Sequence, residues 1–279
     1  MMQINFTKMH GLGNDFVVIN AISQSINLSK EQVMFIANRH FGIGCDQLLL
    51  VESSDQEDAD FRYRIFNADG DEVEQCGNGA RCFAIFVRDE GLTDKNIIPV
   101  VTNTGLIKLQ IKEDNNVTVD MGIPILSPKD IPFVADQQAA NYQIQLSNQP
   151  ITFSAVSMGN PHAVILVDDI DNASVKDIGM QVQANEHFPN SVNVGFMQVI
   201  DRDTVKLRVY ERGVGETQAC GTGACAAVVA GCLQGLLNDT VTVELLGGKL
   251  SIHWAGNNNP VMMTGETAIV FKGTITLAN

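Results

Sequence analysis

Two stretches of this chain repeat one another, and that repeat constrains the fold more than any other feature. RIFNADGDEVEQCGNGA (64–80) aligns with RVYERGVGETQACGTGA (208–224), so that Arg64 matches Arg208, each 12 positions ahead of a cysteine. Asn67 then falls on Glu211, Glu74 on Gln218, and Gly77 and Gly79 on Gly221 and Gly223. Upstream, GLGNDFVVI resembles SMGNPHAVIL, which pairs Asn14 with Asn160 and Asp15 with Pro161. From Asn14 to Gln47 is 33 positions, and from Asn160 to Asn193 is also 33. Each half therefore carries one ordered series: Asn14, Gln47, Asn67, Cys76, then Asn160, Asn193, Glu211, Cys220. Four matches in the same order point to a duplicated domain.

The local patterns repeat as well. FRYRIFN and TVKLRVYE, ahead of the two cysteines, alternate β-formers with polar residues and predict strands. ARCFAIFVRDEG and ACAAVVAGCLQG follow them, rich in Ala, Cys, Phe and Val and ending in glycine. They predict helices that are apolar on nearly every face and therefore buried. DQLLLVES, IIPVVTNTGLIKLQIKEDNNVTVDMG, TVTVELLGGKLSIHW and TAIVFKGTITL supply strands to surround them. The expected architecture is α+β: two pseudo-symmetric domains, each a curved mixed β-sheet or barrel around a central buried helix, with an active site in the cleft between. The expected halves are 1–122, joined by the C-terminal strand 265–279, and 123–264. A chain of 279 residues is also long for one core.

Composition removes several function classes. Hydrophobic residues make up 45%, enough for real cores and too much for disorder. A formal net charge of −14 argues against a nucleic-acid partner, whose phosphates call for clustered Lys and Arg. The densest acidic run, ESSDQEDAD (52–60), reads as an exposed connection between strands. No apolar run reaches the ~18 residues of a membrane span, and MMQINFTKMHGLGNDF lacks the charged-then-apolar layout of a secretory signal. The expected location is the cytoplasm, where six cysteines are reduced thiols.

The cysteine–glycine turns carry the chemistry. Each cysteine is placed at the start of a buried helix, where backbone N–H groups lack intrahelical partners and the dipole is positive. A carboxylate can bind there, and glycines let it approach the backbone. The same field is expected to lower the thiol pKa from ~8.5. Two such helix starts facing one carboxylate would set a thiol on each face of its α-carbon, an arrangement suited to inverting a stereocentre. Cys45, Cys82, Cys225 and Cys232 lack that setting and read as packed thiols. No metal is expected: neither half has C-x-x-C, and His10, His40, His162, His187 and His253 are scattered. The GxG pieces do not complete a dinucleotide fingerprint, so no nucleotide cofactor is expected.

KMHGLGNDFVVIN, FGIGCDQLLL, RIFNADGDEVEQCGNGARC, SMGNPHAVI and ERGVGETQACGTGACAA closely resemble the diaminopimelate epimerase family across residues 8 to 228. The resemblance implies cofactor-independent interconversion of LL- and meso-diaminopimelate, on the route to lysine and peptidoglycan precursors. It implies Cys76 and Cys220 as the acid/base pair, and His162 and Glu211 as residues that adjust the thiols. It places Asn14, Gln47, Asn67, Gly77, Asn78, Asn160, Asn193, Glu211, Arg212, Gly221 and Thr222 at the substrate. Arg212 suits a carboxylate; amide oxygens and Glu211 suit ammonium groups. A homodimer is expected too, through an aromatic residue near the C-terminus, where Phe271 stands in place of the family's tyrosine. The nearest alternative is a proline or hydroxyproline racemase, which needs no second set of charged ligands. A Cys-His nucleophilic hydrolase, a thiol redox protein or a non-enzymatic amino-acid binder would each leave the duplication unexplained.

Overall fold

A computed structural model of the protein describes residues 1–73, 76–103, 105–147 and 149–277. Glu74, matched above to Gln218, lies outside the described residues. The chain forms two compact units, Met1–Asp120 with Thr264–Asn279 and Met121–Met263.

In unit 1 the elements run β1 (Met2–Gly11), β2 (Asn14–Asn20), α1 (Lys30–Ala37), β3 (Gln47–Ser53), β4 (Phe61–Asn67), β5 (Glu72–Val73), α2 (Gly77–Asp89), β6 (Ile97–Thr102), β7 (Gly105–Ile111) and β8 (Val117–Asp120). Unit 2 continues with a 3₁₀ turn (Pro128–Asp130), β9 (Tyr142–Gln145), β10 (Pro150–Ser157), β11 (Pro161–Leu166), α3 (Val175–Gln183), β12 (Asn193–Asp201), β13 (Thr204–Glu211), β14 (Gly215–Thr217), α4 (Gly221–Leu233), β15 (Thr240–Leu245) and β16 (Gly248–His253). β17 (Met262–Gly265) leads back to unit 1, where β18 (Ala268–Leu277) pairs antiparallel with β1.

The ladders repeat strand for strand. In unit 1, β1–β2 is antiparallel, β2–β3 parallel, β3–β4 and β4–β5 antiparallel, β4–β6 parallel and β6–β7 antiparallel. In unit 2, β10 to β16 follow the same series of senses. A parallel step needs a crossover, and in each unit helices supply it. α1 lies between β2 and β3, α2 between β5 and β6, α3 between β11 and β12, and α4 between β14 and β15.

Alternation along the strands decides which face turns inward. Phe61, Tyr63 and Ile65 of β4 are buried while Arg62 and Arg64 point away, and Val205, Leu207 and Val209 of β13 repeat the pattern. The inward faces enclose the second helix of each unit. α4 touches β10, β11, β12, β13, β15 and β16, and α2 touches β1, β2, β3, β7 and β8. Phe83 of α2 meets Tyr63 and Phe61 edge-on at 5.3 and 6.1 Å, contacts worth about 1 kcal/mol each beyond burial. α4 is built of small residues because strands approach it from several sides; at Gly231 a Cβ would fall 2.3 Å from Leu237 Cδ1. Among the described residues no helix is long and apolar enough to cross a membrane.

The packed-thiol reading fits Cys45, Cys82 and Cys225, which are buried. Cys232 departs from it: near the end of α4 it is only half-buried, and its thiol donates to the Asn238 carbonyl at 3.1 Å.

Candidate active site

Each unit gathers its own series of polar residues around its own cysteine. In unit 1, Cys76 is the extended residue that opens α2, with φ −136° and ψ 118°. Asn14 starts β2 after a turn in which Leu12 and Gly13 take left-handed conformations (φ 56° and 87°). That turn brings the Asn14 amide to the helix start. Its Oδ1 accepts from Cys76 Sγ at 3.5 Å and from Asn78 Nδ2 at 3.3 Å. Gln47 and Asn67 face each other across β3 and β4, and Gln47 Nε2 donates to Asn67 Oδ1 at 2.8 Å.

The second glycine of each Cys-Gly-x-Gly turn has a packing reason beyond access for a ligand. A Cβ on Gly79 would sit 2.6 Å from the hydroxyl of buried Tyr63, which donates to the Cys76 carbonyl at 3.4 Å. A Cβ on Gly223 would sit 3.2 Å from the Cys220 sulfur itself. Neither cysteine caps its helix through its own side chain.

In unit 2, Cys220 opens α4 in the same way and is buried. Glu211, the counterpart of Asn67, sets Oε2 3.2 Å from Cys220 Sγ and takes a hydrogen bond from Thr217 Oγ1 at 2.5 Å. Thr222 Oγ1 lies 3.6 Å from the sulfur and accepts from Asn160 Nδ2 at 3.3 Å. Asn193 accepts from the Arg212 backbone N–H at 2.9 Å and donates to the Pro161 carbonyl at 3.1 Å. Arg212 is exposed, its Nη1 donating to the Asn190 carbonyl at 3.0 Å.

The expected fall of the thiol pKa does not hold for Cys220. Burial and the adjacent Glu211 carboxylate push this thiol well above its ordinary value. Hydrogen bonds from Thr222 and the Gly223 N–H act in the opposite direction and are outweighed. Cys220 thus rests as a thiol, a proton donor.

His162 is wholly buried, and burial together with the Arg212 charge lowers its pKa from 6.5 to about 3. It is neutral near pH 7. Its Nε2 lies 3.0 Å from Asn160 Oδ1, an acceptor, so the ring proton sits on Nε2; Nδ1 is buried without a hydrogen-bond partner. His162 therefore reaches Cys220 through Asn160 and Thr222. Because its folded pKa is depressed, the stabilisation it contributes is complete above pH 6.5 and is lost as pH falls toward 3. The slope is about 1.4 kcal/mol per pH unit within that window. His162→Gln should show a correspondingly shallower loss of stability in urea unfolding between pH 7 and 4.5; an unchanged slope would contradict this assignment.

The repeat contained a signal that motif reading passed over. Glu72 and Glu216 stand eight residues after the matched arginines, and the folded chain pairs them in both units. Arg64 Nε–Glu72 is 2.9 Å and Arg208 Nε–Glu216 is 2.6 Å, each backed by a second bond from Nη2. These forks tie β4 to β5 and β13 to β14, the segments that lead into the two cysteines. Arg81 and Asp46 also surround the Cys76 site and were likewise missed.

Two units with the same strand order, each ending in a helix that starts at a cysteine, define the epimerase–isomerase fold class. A phenazine biosynthesis protein of the PhzF family from Bacillus anthracis superposes with a TM-score of 0.71 at 17% identity, covering 99% of this chain and 100% of that one. A hydroxyproline epimerase from Agrobacterium vitis gives 0.71 at 16%, covering 99% and 93%. The family profile described as diaminopimelate epimerase matches residues 6–126 and 154–270. Diaminopimelate epimerases of Teredinibacter turnerae and Thioalkalivibrio sulfidiphilus are each 60% identical over 276 residues; these alignments span 99% and 98% of this chain and 100% and 99% of theirs. The chain belongs to the diaminopimelate epimerase family.

Proposed function

We propose that the protein interconverts LL- and meso-2,6-diaminopimelate by a two-base thiol mechanism that uses no cofactor. Cys76 and Cys220 act from opposite faces of one α-carbon: a thiolate removes the hydrogen and the other thiol delivers one, so the two sulfurs exchange protonation states in each turnover. The observation that carries this reading is the pair of matched cysteines, each opening a buried helix, in a chain of this family. The N–H groups of Gly77, Asn78, Gly221 and Thr222 receive the α-carboxylate, whose negative charge grows as the carbon loses its proton. Asn14, Gln47, Asn67, Asn160 and Asn193 supply amide contacts. Glu211 takes an ammonium as well as holding the Cys220 proton, and exposed Arg212 takes the distal carboxylate.

This reading puts the enzyme in the cytoplasm, in the supply of lysine and peptidoglycan precursors. It works as a homodimer, supported by the exposed Val270 and Phe271 on β18; a monomer in sedimentation at micromolar concentration would refute the dimer. A proline racemase activity is the second reading, since a hydroxyproline epimerase shares the fold. Incubation with LL-diaminopimelate or L-proline, followed by chiral separation, tests the two together. The meso isomer should form and D-proline should not; the reverse would overturn the substrate assignment.

A further inference from the structure

The matched asparagines Asn14 and Asn160 turn opposite ends of their amides toward their helix starts. Asn160 presents Nδ2, which donates to Thr222, while its Oδ1 takes the His162 proton. Asn14 presents Oδ1, to Asn78 and to the Cys76 sulfur, while its Nδ2 donates to Asp46 Oδ2 at 3.0 Å.

The cause lies in the groups at the ends of the unit 1 chain. Arg81 is a fully buried side chain in the first turn of α2, and its Nη2 donates to Asn78 Oδ1 at 2.8 Å. Further contacts reach the carbonyls of Gly77 and Glu266, both at 3.4 Å. Gly11 leaves room for it: a Cβ there would stand 3.1 Å from Arg81 Nη2. A guanidinium has only donors, so Asn78 must offer its oxygen to Arg81 and its NH2 to Asn14. At the far end an ionised carboxylate has only acceptors, so Asn14 must offer its NH2 to Asp46. Asp46 is held by Arg39 at 2.7 Å, and Arg39 in turn pairs with Asp15, which also binds Lys8 at 2.6 Å. Hydrogen bonds thus run in one direction from Arg81 through Asn78 and Asn14 to Asp46. Amide orientation is set by the network around it, and here both ends require the same one. Unit 2 has Cys225 where unit 1 has Arg81, and Thr222 where it has Asn78, so its asparagine obeys different ends.

We propose that Arg81 and Asp46 are positioning residues that lock this relay, so that Asn14 turns its carbonyl oxygen, and not its NH2, to Cys76. The oxygen accepts the Cys76 S–H and so favours the protonated sulfur; it also stays available to a substrate ammonium. This rests on Cys76 being one of the two acid/base thiols. Other titratable groups at Cys76 are Tyr63 on β4 and Cys82 on α2. Neither takes part in the relay.

A double-mutant cycle separates a relay from plain charge effects. The readout is the iodoacetamide alkylation rate of Cys76 at pH 7.5, resolved from the other cysteines by peptide mass mapping; it follows the thiolate fraction. Arg81→Met removes a cation and should slow alkylation, while Asp46→Asn removes an anion and should speed it. By charge alone the double variant's relative rate equals the product of the single ones. With both ends gone, Asn14 is free to turn its NH2 to the thiolate, and the relay predicts a rate at least about threefold above that product, also in 0.5 M salt where exposed charges are screened. A value within about threefold of the product overturns the proposal. Should Arg81→Met fail to fold, Asn78→Thr takes its place in the same cycle with the same threshold, cutting the relay in the middle with the residue unit 2 carries. The assay contains no substrate, so absence of diaminopimelate turnover would count against the enzyme assignment alone.

Discussion

Cys76→Ala and Cys220→Ala should each lower epimerisation of diaminopimelate by about 10³-fold or more, with the melting temperature changed by only a few degrees. The expectation comes from the division of labour. Positioned acid/base groups contribute about 10²–10⁴-fold each, and inversion needs two of them because hydrogen leaves one face and arrives on the other. Removing either sulfur leaves half of a mechanism that has no partial route to product. The structural cost is small. Cys220 is buried, but loss of a single sulfur leaves a cavity smaller than a methylene pair, costing roughly 1–2 kcal/mol. Kinetics at matched protein concentration, with urea unfolding on the same samples, check both statements. Full activity in either variant would rule out the two-base mechanism.

Glu211→Gln carries the second large effect, and its direction is less obvious. The carboxylate lies 3.2 Å from Cys220 Sγ and, after burial, is the main cause of that thiol's raised pKa. The amide keeps the shape and removes the charge. The Cys220 pKa should therefore fall, alkylation of Cys220 near pH 8 should accelerate, and turnover should drop by about 10²-fold because the proton donor is now partly ionised and an ammonium ligand is lost. A more reactive thiol in a slower enzyme is the signature. If the alkylation rate were unchanged or lower, Glu211 would not be what keeps Cys220 protonated.

Much of the architecture was legible because it depends on spacing. Strand alternation in FRYRIFN and TVKLRVYE, the glycine-terminated apolar stretches after each cysteine, and the equal 33-residue intervals all survive as β4, β13, α2, α4 and the matched positions of Gln47 and Asn193. What stayed hidden depends on where a charge goes once the chain closes. Arg81 sits in a stretch read as an apolar helix, and nothing in its neighbours says that its guanidinium is buried against Asn78 rather than turned to water. Asp46 and Arg39 reach Asn14 from distant parts of the sequence, so no local pattern announces them. Cys220 misled for a related reason. A helix start argues for a low thiol pKa, but burial and a carboxylate nine residues earlier are stronger, and their balance is visible only in the folded chain.

The label in the LL-diaminopimelate incubation tests the claim that distinct groups serve the two faces. Run in deuterium oxide and stopped after a few per cent conversion, it should yield meso product carrying one solvent deuterium at the inverted carbon, while recovered LL substrate stays unlabelled. Product that keeps its original hydrogen, or recovered substrate labelled as fast as product, would mean that one group serves both faces and would contradict the account.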